Sequence, residues 1–257
     1  MMEIRPIRRD EAVPFLRLLC DVFKLEYERA HGVFFGEPMF DLQRKWGFFE
    51  GSDMVSILTT VPVEFGHGRG IGIAGVATRE DRQGEGLAQR LIEAVVGESE
   101  RVGENSAWLF AKNQKLYLRC GFREVDEVMH ADLGGEVDHE TQELLPFEVI
   151  RGIYDSWSLR EPERLRRDER RWIYWKWNMR PSTQFSDGYI CHEGFQVREC
   201  VVEHRTENWR FPEHSKWVGL RSMSDRLHLP LIRARHEIYL MGRNADFTPQ
   251  MFLTDQF

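Results

Sequence analysis

The chain has 257 residues, 42% hydrophobic and 30% charged, with eight tryptophans. This excludes a disordered or fibrous protein and leaves enough chain to bury the core of one large or two small domains. The net charge of −7 disfavours bulk nucleic-acid binding, and no apolar run approaches the ~18 residues that cross a membrane.

Two further features bear on compartment. The start, Met-Met-Glu-Ile-Arg-Pro, has no apolar signal-peptide core. The cysteines at 20, 120, 191 and 200 form no CxxC pair and read as reduced thiols. A cytoplasmic protein is the expectation.

In chain order, Glu3–Ile7 alternates and reads as a strand. Asp10–Phe23 has helical spacing, with Asp10 as the expected N-cap and Val13, Leu16, Leu19, Cys20 and Phe23 on one stripe. Residues 24–43 read as a short helix and a loop. Lys45–Glu50 and Met54–Phe65 are strands around a Gly51-Ser52-Asp53 turn. Gly66-His67-Gly68-Arg69-Gly70 is a second hairpin turn into a strand at 71–78.

The next segment is the most informative. Gln83-Gly84-Glu85-Gly86-Leu87-Ala88 lies between that strand and a helical pattern carrying Leu87, Leu91 and Val95. The helix runs to about Val102 and ends at Gly103. A Gly-rich turn opening a helix presents unpaired N–H groups and the positive end of the helix dipole, which suits an anion. The glycines let the backbone approach a ligand closely. Asp81 and Glu85 add negative charge there, which Arg79 and Arg82 are placed to offset.

A strand at Ser106–Ala111, a short helix and Leu116-Tyr117-Leu118-Arg119-Cys120-Gly121-Phe122 follow. Residues 134–143 are polar and read as a linker. Six of the eight Trp lie beyond it. Leu145–Tyr154 and Glu161–Trp177 read as helices, Tyr189–Cys191 and Gln196–His204 as a hairpin, and Lys216–Leu220 and Glu237–Met241 as strands.

Together, Gln83-x-x-Gly86-x-Ala88 and Leu116-Tyr117-x-x-x-Gly121-Phe122 resemble the pyrophosphate motif and the later L-Y-x-x-x-G-F segment of the GNAT superfamily of acetyl-CoA-dependent N-acetyltransferases. The resemblance covers about residues 2–132. It implies an α/β (α+β) fold, a GNAT-like mixed sheet flanked by helices. We expect a catalytic, acetyl-CoA-binding domain at 1–133. A second, smaller α+β lobe at 140–257 vaguely resembles a degenerate GNAT-like lobe, as in tandem members.

The resemblance further implies that acetyl-CoA is a co-substrate, bound by Val76, Ala77 and Thr78 along the pantetheine. Gln83, Gly84, Glu85, Gly86, Leu87 and Ala88 would hold the pyrophosphate. Asn113 is a helix cap that can also touch the ligand. Tyr117 is the candidate general acid for the departing thiolate; its structural alternative is a core Tyr packed beside Phe122. Strand 71–78 has no carboxylate, so the general base stays open among Glu64, Glu28, His67 and the α-carboxylate of Phe257. The last follows from a resemblance to the larger tandem members of the enhanced-intracellular-survival type.

Acetyl transfer to a primary amine by direct attack is the expected reaction, and a non-catalytic acyl-CoA-binding or protein-interaction module is the alternative. The expected partner is a small-molecule or protein amine, with neither nucleic acid nor membrane; a homodimer is the oligomer considered. Glu26, Glu28 and Glu37 are expected to attract a cationic substrate. Gly70-x-Gly72-x-x-Gly75 formally spells a dinucleotide fingerprint, but its glycines lie within a strand instead of opening a helix. Cys191, His192, Cys200 and His204 do not have a zinc spacing, so no metal is expected. Trp172, Trp175 and Trp177 read as core before they read as an aromatic pocket for an amine.

Overall fold

The computed structural model describes residues 2–138, 143–178, 181–204 and 209–257. From the N-terminus, the elements are β1 (Met2–Pro6), α1 (Ala12–Phe23), α2 (Tyr27–Gly36), β2 (Lys45–Glu50), β3 (Asp53–Phe65) and β4 (Gly68–Thr78). Then come α3 (Leu87–Arg101), β5 (Glu104–Ala111), α4 (Lys115–Arg119), β6 (Arg123–Leu133) and β7 (Glu136–Asp138). The second half contains α5 (Phe147–Arg160), α6 (Glu169–Trp177), β8 (Ser182–Phe185), β9 (Gly188–Glu193) and β10 (Gln196–Val201). It closes with β11 (Arg210–Pro212), β12 (Lys216–Leu220), α7 (Arg221–Leu227) and β13 (Leu231–Arg243).

Among the described residues, eleven strands form one mixed sheet in the order β1-β2-β3-β4-β5-β13-β6-β12-β10-β9-β8. β7 and β11 form a separate parallel pair. The β4–β5 pair is parallel, with α3 as its crossover. β13, from the end of the chain, inserts antiparallel between β5 and β6. The last strand thus completes the sheet that the first half begins.

Several expectations shift at element ends. Asp10 does not cap α1. Arg9–Glu11 instead forms a 3-10 turn, in which Glu11 accepts the Arg8 N–H at 2.6 Å and pairs with Arg5 at 2.7 Å. The turn after β3 is only Gly66-His67, because β4 already begins at Gly68. Gly70 allows the close β4–β5 approach, since a Cβ there would lie 2.2 Å from the Ser106 hydroxyl oxygen.

The helix expected over Glu161–Trp177 is confined to Glu169–Trp177. Pro162 disfavours helical backbone at Glu161. Residues 161–163 form a turn, closed by the Arg164 N–H donating to the Glu161 carbonyl at 3.2 Å, and Arg164 and Arg166 make isolated bridges to Gln250 and Glu64. β13 is longer than the expected 237–241. Trp172 and Trp175 are core residues, whereas Trp177 is exposed.

Three apolar clusters support the sheet. One lies under α3, with Leu91, Ile92 and Val95 fully buried. A second joins α1 and α2 to β2 and β3 through Phe15, Leu16, Phe34 and Phe49. The largest mixes both halves: Val63, Phe65 and Trp108 pack with Trp157, Trp172, Tyr189 and Trp217.

Inside that cluster sits a buried charge network. The Arg167 guanidinium donates to Glu199 at 2.8 and 3.1 Å and to Asp255 at 2.7 and 2.8 Å. Tyr189 also donates to Glu199, as does Trp175 at 3.2 Å. Burial is the largest influence on the Glu199 carboxyl pKa and raises it, but the Arg167 charge together with hydrogen bonds from Arg167, Thr254 and Tyr189 outweighs burial and holds it below its ordinary 4.5. A depressed carboxyl contributes stability above its unfolded pKa and loses it as pH falls, so this contribution should fade below about pH 4.5. Glu199→Ala removes one partner of a buried cation. We expect a cost of about 3–5 kcal/mol by urea denaturation at pH 7. A change within about 0.5 kcal/mol, the range of surface substitutions, would show that Asp255 alone satisfies Arg167.

Among the described residues no helix is long and apolar enough to cross a membrane. No group of three or more His, Cys, Asp or Glu side chains there is placed to hold a metal ion.

Candidate active site

The site is built where β4 parts from β5. The two strands pair from Arg69 to Ile73, with Ile73 opposite Leu109. Beyond that point, among the described residues, β4 pairs with β3 alone, through Ala74, Ala77 and Thr78. Gly75 marks the change with φ of +59°, a left-handed conformation that favours glycine. The register with β3 also shifts there. β5 instead turns its far edge to β13, from Ala107 to Ala111. A fork opens, and its β4 edge carries main-chain groups of Val76–Thr78 that β5 does not pair.

The Gly turn closes the wide end of the fork. Gly84 and Gly86 have φ of +87° and +76°, and Gly86 is the N-cap residue of α3. A Cβ on either would meet nothing within 4 Å, so the space over the turn is open. Helix α3 has 15 residues, long enough for its dipole to act at this end. The acidic neighbours are neutralised as expected. Arg79 pairs with Asp81 at 2.5 Å, while Arg82 holds both Glu50 and Glu85 at 2.8 Å. The Glu85 side chain is thus turned to Arg82, and only its main chain belongs to the turn.

A cavity of about 340 Å³ runs along this surface. Val76, Ala77, Thr78, Gln83, Gly84, Gly86, Leu87 and Ala88 line it, together with Tyr117. Tyr117 is half-buried on α4, with its ring edge-on to Phe122 at 6.2 Å. Among the described residues its hydroxyl makes no hydrogen bond to protein. Burial raises its pKa, so it stays a proton donor at neutral pH. Asn113 does not line the cavity; its Oδ1 accepts the Lys115 N–H at 3.0 Å, and Gln114, one residue on, is the N-cap residue of α4 in place of the expected Asn113.

A second cavity, of about 570 Å³, lies on the other side of the β4 bend. α1, α2, β3 and β4 wall it, with Ala74 and Gly75 at the bend. The second half of the chain supplies Arg171 and Tyr174 from α6, and Gln256 and Phe257. The Phe257 ring lies over Gly72, where a Cβ would come within 2.2 Å of it, and 5.4 Å from the Phe110 ring. Asp255, held by Arg167, anchors this last segment. Sequence patterning gave no sign of Arg171, Tyr174 or Gln256, because their place depends on chain segments far from the motifs.

Of the candidate bases, Phe257 lines this cavity. Glu64 is exposed on β3, 3.9 Å from Arg166. His67 sits in the β3–β4 turn beside Glu163. Glu28 is exposed on α2, and neither it nor Glu64 lines either cavity. Glu26 and Glu37 do line the larger one, but both are already engaged. Glu26 caps α2 by accepting the N–H groups of Glu28 and Arg29 at 2.9 and 2.7 Å. Glu37 faces Lys45 at 3.4 Å.

Burial pushes the thiol of Cys120 up to about 11 and also raises those of Cys20 and Cys200. These three remain thiols at neutral pH, which makes them poor nucleophiles.

A mixed sheet that forks beside a Gly-turn helix start is the architecture of an acetyltransferase of the GNAT type. Residues 3–125 match the family model described as an acetyltransferase (GNAT) domain. Solved structures share the whole fold. A GCN5-related N-acetyltransferase from Kribbella flavida is 15% identical with a TM-score of 0.71, over 94% of this chain and 70% of that one. Another from Anabaena variabilis is 15% identical with a TM-score of 0.66, over 95% and 72%. Eis1 from Mycobacterium abscessus is 16% identical with a TM-score of 0.63, over 93% and 73%. At such identity these likenesses concern the fold. No curated protein matches the sequence.

Proposed function

We propose that the protein transfers the acetyl group of acetyl-CoA to a primary amine by direct attack. The observation that carries this reading is the fork. An unpaired strand edge, an open Gly turn and Tyr117 line one cavity, and Gly75, the residue before that edge, lines a second cavity. CoA has a part for each: pyrophosphate for the turn, an amide-bearing pantetheine for the strand edge, and sulfur toward Tyr117.

In the proposed step the neutral amine attacks the thioester carbonyl from the larger cavity. A new C–N bond forms and the C–S bond breaks. Tyr117 gives its proton to the departing thiolate and regains one from solvent. The amine's surplus proton leaves to solvent. The raised pKa values of Cys20, Cys120 and Cys200 favour direct attack over an acetyl-cysteine intermediate.

Release of free thiol from acetyl-CoA with a panel of amines tests the proposal, with the acetylated amine identified by mass. Amine-dependent release is expected. CoA binding without any amine-dependent release would favour the non-catalytic alternative.

A further inference from the structure

The larger cavity constrains the acceptor. Its walls are mainly apolar: Leu16 and Leu19 from α1, Val33 and Phe34 from α2, Val61 from β3, and Leu25 between the helices. Two of these are exposed. Leu25 and Val33 are 48% and 50% exposed, so apolar surface faces solvent where the cavity opens. Exposed apolar surface gathered at a cavity is a common mark of a binding site.

The charged residues of the wall carry no acidic surplus. Glu26 is used as a helix cap and Glu37 faces Lys45. Lys24 pairs with Glu80 at 2.5 Å, and Arg171 lies 3.9 Å from Asp255. A polycation entering here would shed water without gaining free carboxylates, which is costly. A lone amine is in a different position. Apolar surroundings disfavour its ammonium form and raise the fraction of free base, which is the nucleophile.

We infer that the acceptor is a monoamine on an apolar body, an alkyl- or arylalkylamine, with that body against the Leu16, Leu19, Val33 and Val61 wall. The inference rests on the acetyl-transfer reading and narrows it, setting aside polyamines, aminoglycosides and lysine side chains of peptides.

The test is kcat/KM for straight-chain monoamines from propyl to octyl, beside spermidine, an aminoglycoside and a lysine-containing peptide. Calorimetry with acetyl-CoA is run in parallel. Burial of each added methylene should raise kcat/KM about three- to fourfold until the cavity is full. Hexylamine should exceed spermidine by at least about tenfold. In Val33→Glu, a half-exposed position that tolerates a polar side chain, the dependence on chain length should flatten while acetyl-CoA affinity stays unchanged.

A flat series, or a polyamine, aminoglycoside or peptide that equals hexylamine, overturns the inference and leaves acetyl transfer standing. If acetyl-CoA binds and no amine of any class is acetylated, the acetyl-transfer reading fails, and the inference fails with it.

Discussion

Gly86→Glu should abolish measurable CoA binding, with affinity falling more than about 100-fold, or roughly 2.7 kcal/mol. Two effects combine. Gly86 sits at φ +76°, where a side chain costs about 1–2 kcal/mol. The new carboxylate would also stand at the positive end of α3, in the seat proposed for the pyrophosphate. The open space around Gly86 means that no protein neighbour has to move, so the damage should fall on the ligand more than on the fold. Gly86→Ala separates the two effects. It carries the backbone strain without the charge, and should lower stability while retaining part of the affinity. Titration calorimetry on folded protein reads both variants. An unchanged CoA affinity in Gly86→Glu would remove the turn from the site.

Tyr117→Phe should reduce kcat by about 10²–10⁴-fold, the usual contribution of general acid catalysis. The ring and its contact with Phe122 persist, so packing changes little. Among the described residues the hydroxyl makes no hydrogen bond to protein, so its removal leaves no partner unsatisfied. Its effect belongs to the transition state, where charge builds on sulfur, and KM for acetyl-CoA should hardly move. Steady-state rates with the best amine measure this. A wild-type kcat would call for single-turnover kinetics, because slow product release can mask the chemical step. An unaltered chemical step would take Tyr117 out of the mechanism.

Both predictions concern residues legible in the sequence, and the reason is local. The Gly turn, the α3 stripe and the Tyr117–Phe122 segment are short-range patterns whose geometry follows from neighbouring residues. The fork was legible only by resemblance, because no residue in 71–78 announces that β5 leaves β4 after Ile73. The acceptor cavity was less legible still. Glu26 and Glu37 read as free carboxylates, but one became a helix cap and the other met a lysine across the α2–β2 connection. The stretch 161–168 read as helix, yet a turn at Pro162 and isolated bridges at Arg164 and Arg166 take its place. Arg167 there is buried, its charge matched by Glu199 and Asp255, which lie 32 and 88 residues away. No local pattern encodes such a pairing. β13 shows the same limit: its alternation marks a strand, but nothing in it names β5 and β6 as neighbours.

The most direct measurement is a crystal structure with CoA bound. The pyrophosphate should lie over the main chain of residues 84–88, and the pantetheine should pair with the free edge of Val76–Thr78. The sulfur should lie within about 3 Å of the Tyr117 hydroxyl or one water away, facing the cavity lined by Phe34 and Phe257. CoA bound elsewhere, or a fork that stays closed with β4 and β5 paired past Ile73, would contradict this placement.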